Sequence, residues 1–266
     1  MKTFKFNRLT RALVAIAFTA IGSSAFAVSW NLDGSCPPEG GLVPNIVHNC
    51  GSNVTVSGFS NGTGTIASPT TGTIFAAAAV YNWTGGLGVV ATNENQATTG
   101  PHATDNVNGT DALLIKFDTA TSLTAVTLGW NGSDTPTGVY ADSDISVLAW
   151  TGIGDPAAGS ITGSTAAGLV SAGWTLVGDY ANVGTLVGDT QAISTSITSS
   201  YWLVSAYDAK WSGCTTGCFT GANDAFKLVS VAGNQTTKVP EPGSLALLGA
   251  DLLGWVASRK RKVAAI

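Results

Sequence analysis

Between Val28 and Lys238 the apolar residues fall in short runs broken by Gly, Asn, Asp, Ser and Thr. No stretch there keeps the three-and-four spacing of an amphipathic helix. The runs Val54–Phe59, Ile74–Trp83, Leu87–Ala91, Ala112–Phe117, Leu123–Trp130, Ile145–Trp150, Trp174–Tyr180, Ala192–Ile197, Tyr201–Ala206 and Ala225–Val231 are rich in β-branched and aromatic residues and have the length of strands. Strands at this spacing predict an all-β fold, a single antiparallel β-sandwich of jelly-roll-like type. A helical turn or two is expected over Thr165–Ala172, limited by Gly163, Gly168 and Gly173. Leu176-Val-Gly-Asp179 recurs as Leu186-Val-Gly-Asp189, but no longer repeat accompanies it. One exported domain, 28–238, is therefore expected, with the cysteine-bearing stretch 28–52 lying against it.

The pattern changes at both ends. Lys2, Lys5, Arg8 and Arg11 precede the apolar run 12–21, and small residues follow to Ala25-Phe26-Ala27. A basic start, a short apolar stretch and an A-x-A ending predict a secretory signal peptide over 1–27, cut by signal peptidase after Ala27. The apolar run is short for a hydrocarbon core about 30 Å thick, which disfavours an uncleaved anchor. At the other end, Pro240, Glu241 and Pro242 hold the chain extended ahead of the Leu- and Ala-rich stretch 245–258. Arg259, Lys260, Arg261 and Lys262 then form a cationic stop, which favours the cytoplasmic side. The expected topology is body outside and tail inside, with a C-terminal transmembrane helix. Asp251 sits in the middle of that apolar stretch, where a carboxylate costs about 2.5–3.5 kcal/mol to insert. The span reads as a transient anchor helped by a protein partner or local thinning, or as a marginal helix carried by its leucines.

This tail, 239–262, resembles the PEP-CTERM sorting signal of Gram-negative bacteria. The Pro-Glu-Pro motif, the apolar helix and the basic end occur in that signal's order. The resemblance implies recognition by the membrane protease exosortase, processing near Pro240-Glu241-Pro242, and delivery to the cell surface or extracellular matrix, usually alongside exopolysaccharide. The body is also similar to exosortase-dependent surface proteins through 101–106, 111–117, 128–130, 142–149 and 173–178. That family implies sorting and no assigned reaction.

Composition narrows the partners. Outside the two ends, four lysines (Lys116, Lys210, Lys227, Lys238) face fourteen acids, a balance of −10. Such a body repels phosphate backbones and attracts cations, so nucleic acid is excluded as a partner. An even count of cysteines in an exported chain predicts disulfides, and local pairing of Cys36 with Cys50 and Cys214 with Cys218 is the economical choice. A zinc site built from all four is the alternative, disfavoured by spacings that are not C-x2-C.

Catalytic signatures are missing: the chain has no G-x-S-x-G elbow, H-E-x-x-H, Walker A loop or G-x-G-x-x-G, and only His48 and His102 supply imidazoles. Calcium is the better chemical expectation. Asp105, Asn108 and Asp111 recur at steps of three around Gly109, and Asp142 and Asp144 alternate at i, i+2, sharing one face if 142–150 is a strand. Oxygen donors in a flexible loop suit Ca²⁺, which takes 6–8 of them at about 2.3–2.6 Å. Lys116 stands where an EF-hand needs its bidentate Glu, so the motif is not an EF-hand. Ordinary Asx-turn chemistry accounts for the same residues. Asp224, just before a strand, is a weaker ligand candidate. Trp130, Trp150, Trp174 and Trp202 begin or end apolar runs and read as core. Trp211 lies between Tyr207 and Cys214 in a loop and is the candidate sugar-stacking ring. The expectation is a non-enzymatic surface or matrix protein associated with exopolysaccharide. A calcium-dependent carbohydrate-binding module and a polysaccharide hydrolase are the alternatives.

Overall fold

The computed structural model describes residues 25–36, 47–51, 53–62, 71–83, 85–91, 102–107, 109–131, 142–156, 161–184, 189–219 and 224–236. Residues 1–24, which carry most of the expected signal peptide, Asn108, and the tail residues Pro240, Glu241, Pro242, Arg259, Lys260, Arg261 and Lys262 lie outside the described residues. Among those described, no helix is long and apolar enough to cross a membrane.

The strands are β1 (Ala25–Asn31), β2 (His48–Asn49), β3 (Val54–Gly62), β4 (Thr71–Trp83), β5 (Gly86–Val90), β6 (Thr104–Asp105), β7 (Asp111–Asn131), β8 (Ile145–Trp150), β9 (Trp174–Tyr180), β10 (Thr190–Ala192), β11 (Ser199–Ala206) and β12 (Ala225–Thr236). Among the described residues, the short helices α1 (Leu32–Ser35), α2 (Ala166–Ala172) and α3 (Ala209–Ser212) interrupt them. The fold is all-β, and the strand ladders are antiparallel. Neighbours run β1-β12-β5-β4-β3-β7-β11-β8-β9, and an additional β12–β7 ladder closes the circuit through β5, β4 and β3. Ala25–Thr237 forms one compact unit.

That closure depends on β7. The two runs Ala112–Phe117 and Leu123–Trp130 form one strand, because 118–121 (Asp-Thr-Ala-Thr) contains neither Gly nor Pro and its threonines favour extended backbone. The first half pairs with β3 and β11, and the second with β12 and β10. Burial follows the same division. Residues 111–115 are buried on both faces, whereas from Leu123 onward buried positions are interspersed with half-buried ones. A chain covered on both sides reads as a continuous apolar run, and one covered on a single side alternates.

The main core gathers Val54, Val56, Leu113, Ile115, Phe117, Leu128, Val147, Trp202 and Phe226. A second cluster, including Phe59, Phe75, Leu114, Leu148, Leu169, Trp174, Leu203 and Trp211, covers the opposite face. The helix expected near 165–172 is α2; the Thr165 hydroxyl caps it by accepting the Gly168 N–H at 2.9 Å. The expected strand at Ala192–Ile197 is shorter and earlier, ending at Ala192 as β10. Strand β1 was not legible in the sequence. It pairs Ala25 with Thr236 through Asn31 with Ser230, so the cleavage point expected after Ala27 falls within a strand.

Close backbone approach decides one glycine. A Cβ on Gly88 of β5 would overlap the carbonyl of His102, so no side chain fits there. His102 itself adopts φ 48° and packs its ring 5.5 Å from those of Tyr81 and Trp83.

Candidate metal centre

Strands β8 and β12 begin side by side. An isolated parallel bridge joins Asp142 to Asp224, with the Ala225 N–H donating to the Asp142 carbonyl at 3.1 Å. The Ser143 hydroxyl donates to the Ala225 carbonyl at 2.7 Å and fixes the same junction. Alternation then turns Asp142 and Asp144 to one side, and the bridge brings in Asp224. One ligand oxygen from each of the three lies within 4.8 Å of the others. Two ligands at about 2.3–2.6 Å from one Ca²⁺ are at most roughly 5 Å apart, so this spacing suits a shared ion.

The surrounding backbone holds the carboxylates in place. Asp144 Oδ1 accepts the Asn182 N–H at 2.6 Å, and the Asp144 N–H donates to Asp224 Oδ1 at 3.1 Å. Asn106 brackets Asp224: its side-chain amide donates to Asp224 Oδ2 and to the Tyr207 carbonyl, and its Oδ1 accepts the Asp224 N–H at 2.9 Å. Asn182 occupies the left-handed region, φ 51°, which asparagine tolerates better than most residues. Asp142 Oδ1 is buried, and no donor N–H or hydroxyl among the described residues serves it. A proton shared with Asp224 or a bound cation is what remains to satisfy it.

The electrostatics agree. Burial, then the hydrogen bond with Asp142, pushes the Asp224 carboxyl up to about 8. Asp144 is also raised, first by burial and then, against the Asn182 N–H, by the charges of Asp142 and Asp179. Asp179, which accepts the Ser146 hydroxyl at 2.6 Å, is raised by burial too. A carboxylate group that resists full ionisation is one that a divalent cation would stabilise. Three aspartate carboxylates form a hard, oxygen-only donor set, fitting Ca²⁺ or Mg²⁺ rather than Zn²⁺.

Of the five residues chosen from the sequence, Asp142 and Asp144 belong to this cluster. Asp105 and Asp111 do not. Asp105 Oδ1 accepts the Val107 N–H at 3.0 Å, which is the Asx-turn alternative in practice, and Asp111 Oδ2 accepts the Asp105 N–H at 3.3 Å across the loop. Asp224 completes the group, and its signal in the sequence was only its place before a strand.

Trp211 corrects an expectation. It is 3% exposed, stacked on Phe75 at 5.6 Å, with its indole N–H donating to the Ser205 hydroxyl at 3.2 Å. The loop holding it is the short helix α3, N-capped by Asp208, which turns the ring inward. It is a core residue and offers no face to a sugar. The cysteines pair as expected, Cys36 with Cys50 and Cys214 with Cys218. Two disulfides place the folded chain in an oxidising compartment, periplasmic or extracellular. They also leave no free thiolates among the described residues for a zinc site.

Compared with known proteins, the chain matches no family model and no curated sequence.

Proposed function

We propose that the chain is an exported, exosortase-sorted surface or extracellular-matrix protein, non-enzymatic and associated with exopolysaccharide. The observation that carries this reading is the three-part C-terminus: Pro240-Glu241-Pro242, the apolar stretch behind it, and Arg259-Lys260-Arg261-Lys262. Signal peptidase and exosortase are the processing partners, and the C-terminal helix is a transient inner-membrane anchor. In this reading the all-β body is a single jelly-roll-like β-sandwich. Intact-mass spectrometry of envelope and secreted forms tests the proposal. Masses matching cleavage after Ala27 and near Glu241 support it. A full-length mass, or an unchanged destination after deletion of the last thirty or so residues, defeats it.

A second reading, a calcium-dependent carbohydrate-binding module, is favoured by the carboxylates of Asp142, Asp144 and Asp224. Titration calorimetry with Ca²⁺, after treatment with a chelator, reads it directly. Heat of binding that disappears in Asp224→Asn supports the site, and an absence of heat removes it. Turnover of the host's own polysaccharide would instead favour a hydrolase.

A further inference from the structure

Strand alternation and register build a second feature on the sheet. On β11, Trp202 and Val204 face the main core, which turns Tyr201 to the other side. Tyr201 is registered with Lys116 of β7, and Trp202 with Ala149 of β8, so Trp150 lies one step along beside Tyr201. Lys116, Tyr201 and Trp150 thus form a row across three adjacent strands, spaced about 4.8 Å apart. Trp174 on β9 continues it but is buried in the second core cluster, whereas Tyr201 and Trp150 are half-buried. The Lys116 ammonium lies 5.4 Å from the centre of the Tyr201 ring. Trp150 is fixed by its N–H donating to the Gly154 carbonyl at 2.8 Å and by the Trp174 ring 5.6 Å away. An open cleft of about 640 Å³ lies over the row, with Asp118, Asp155, Thr198 and Ser200 also lining it.

We propose that this cleft binds an uncharged oligosaccharide through Tyr201 and Trp150. The proposal deepens the reading of the chain as an exopolysaccharide-associated protein, on which it rests for the source of the sugar. Aromatic rings flanked by carboxylates and hydroxyls match a pyranose, which has an apolar C–H face and a polar rim. An extended peptide fits less well. Strands β7, β11 and β8 each have a neighbour on both sides, so no free edge is left for strand addition. An anionic polymer fits less well too, because two carboxylates line the cleft against the single ammonium of Lys116.

The test uses the mature protein purified from the cell envelope and a panel of neutral gluco-, galacto-, manno- and xylo-oligosaccharides, with hyaluronate fragments as the anionic comparison. Binding is read by tryptophan fluorescence and calorimetry. Tyr201→Ala and Trp150→Phe are the cleft variants, and Trp83→Ala, exposed elsewhere, is the control. Trp150→Phe keeps a ring against Trp174, and near-UV circular dichroism verifies folding. The expected result is that a neutral oligosaccharide binds, Tyr201→Ala weakens it about tenfold, the worth of one aromatic contact, and Trp83→Ala leaves it unchanged. No binding across the neutral panel, preference for hyaluronate, or equal affinity in Tyr201→Ala overturns the cleft. Fractionation of the same strains tests sorting separately. Surface-located protein that ignores every sugar defeats only this inference, and a sugar binder that never leaves the cytoplasm defeats only the sorting proposal.

Discussion

Asp224→Asn should remove the largest single contribution to a pH-dependent loss of stability in the cation-free protein. Asp224 is 1% exposed and is raised to about 8 in the fold, against about 3.9 in an unfolded chain. Between those values the native state holds a proton that the unfolded state has released. Stability from this group is therefore complete below about pH 4 and declines as pH rises towards 8. One proton corresponds to about 1.4 kcal/mol per pH unit, or about 2.7 kcal/mol between pH 5 and 7. In a domain of this size that is about 5–10 °C in Tm. An asparagine at 224 keeps a permanent N–H to offer Asp142, standing in for the proton. His48, lowered chiefly by burial, acts oppositely, adding stability as pH rises through about 6.5. It is present in both proteins and cancels in the comparison. The assay is urea denaturation at pH 5, 6 and 7 in chelator, with disulfides kept oxidised. The difference between the two proteins should widen in favour of Asp224→Asn by up to about 1.4 kcal/mol per unit, and millimolar Ca²⁺ should erase the wild-type decline. Parallel curves for the two proteins would refute the assignment of a retained proton to Asp224.

Other expectations follow from the packing. Replacing Cys36 and Cys50 by alanine should cost about 3 kcal/mol in urea denaturation, since the bridge closes a loop with a sequence separation of 14. The Cys214–Cys218 bridge, with a separation of 4, should cost less to remove and be reduced first in a timed thiol titration, because its cysteines are only half-buried. Trp211→Ala should lower stability by about 3–5 kcal/mol while leaving oligosaccharide affinity unchanged; weaker binding in a fully folded variant would restore it as a ligand contact. Gly88→Ala should broaden or lower the thermal transition, because its methyl must displace the His102 backbone, and an unchanged Tm would show that the 102 segment yields freely.

Local chemistry made much of this protein readable. Short β-rich runs announced an all-β body, because the two-residue period and β-branched composition are properties of the chain itself. The cysteine pairing was legible for the same reason, as both bridges are local. The candidate site was half legible: Asp142 and Asp144 share a face by alternation alone. Asp224 joins them only because β12 starts beside β8, 80 residues earlier in the chain, which spacing cannot reveal. The loop Asp105–Asp111 carried the stronger motif, yet its carboxylates are satisfied by nearby backbone N–H groups. Tertiary packing also exchanged the roles of two tryptophans. Trp211 looked exposed because it stands outside any apolar run, but α3 turns it under Phe75. Trp150 looked like core because it ends one, but the cleft leaves its ring half open. A sequence specifies which residues alternate and where its apolar and charged runs fall. Which carboxylates meet, and which rings meet water, depends on long-range strand pairing, because only the folded neighbours set distance and desolvation.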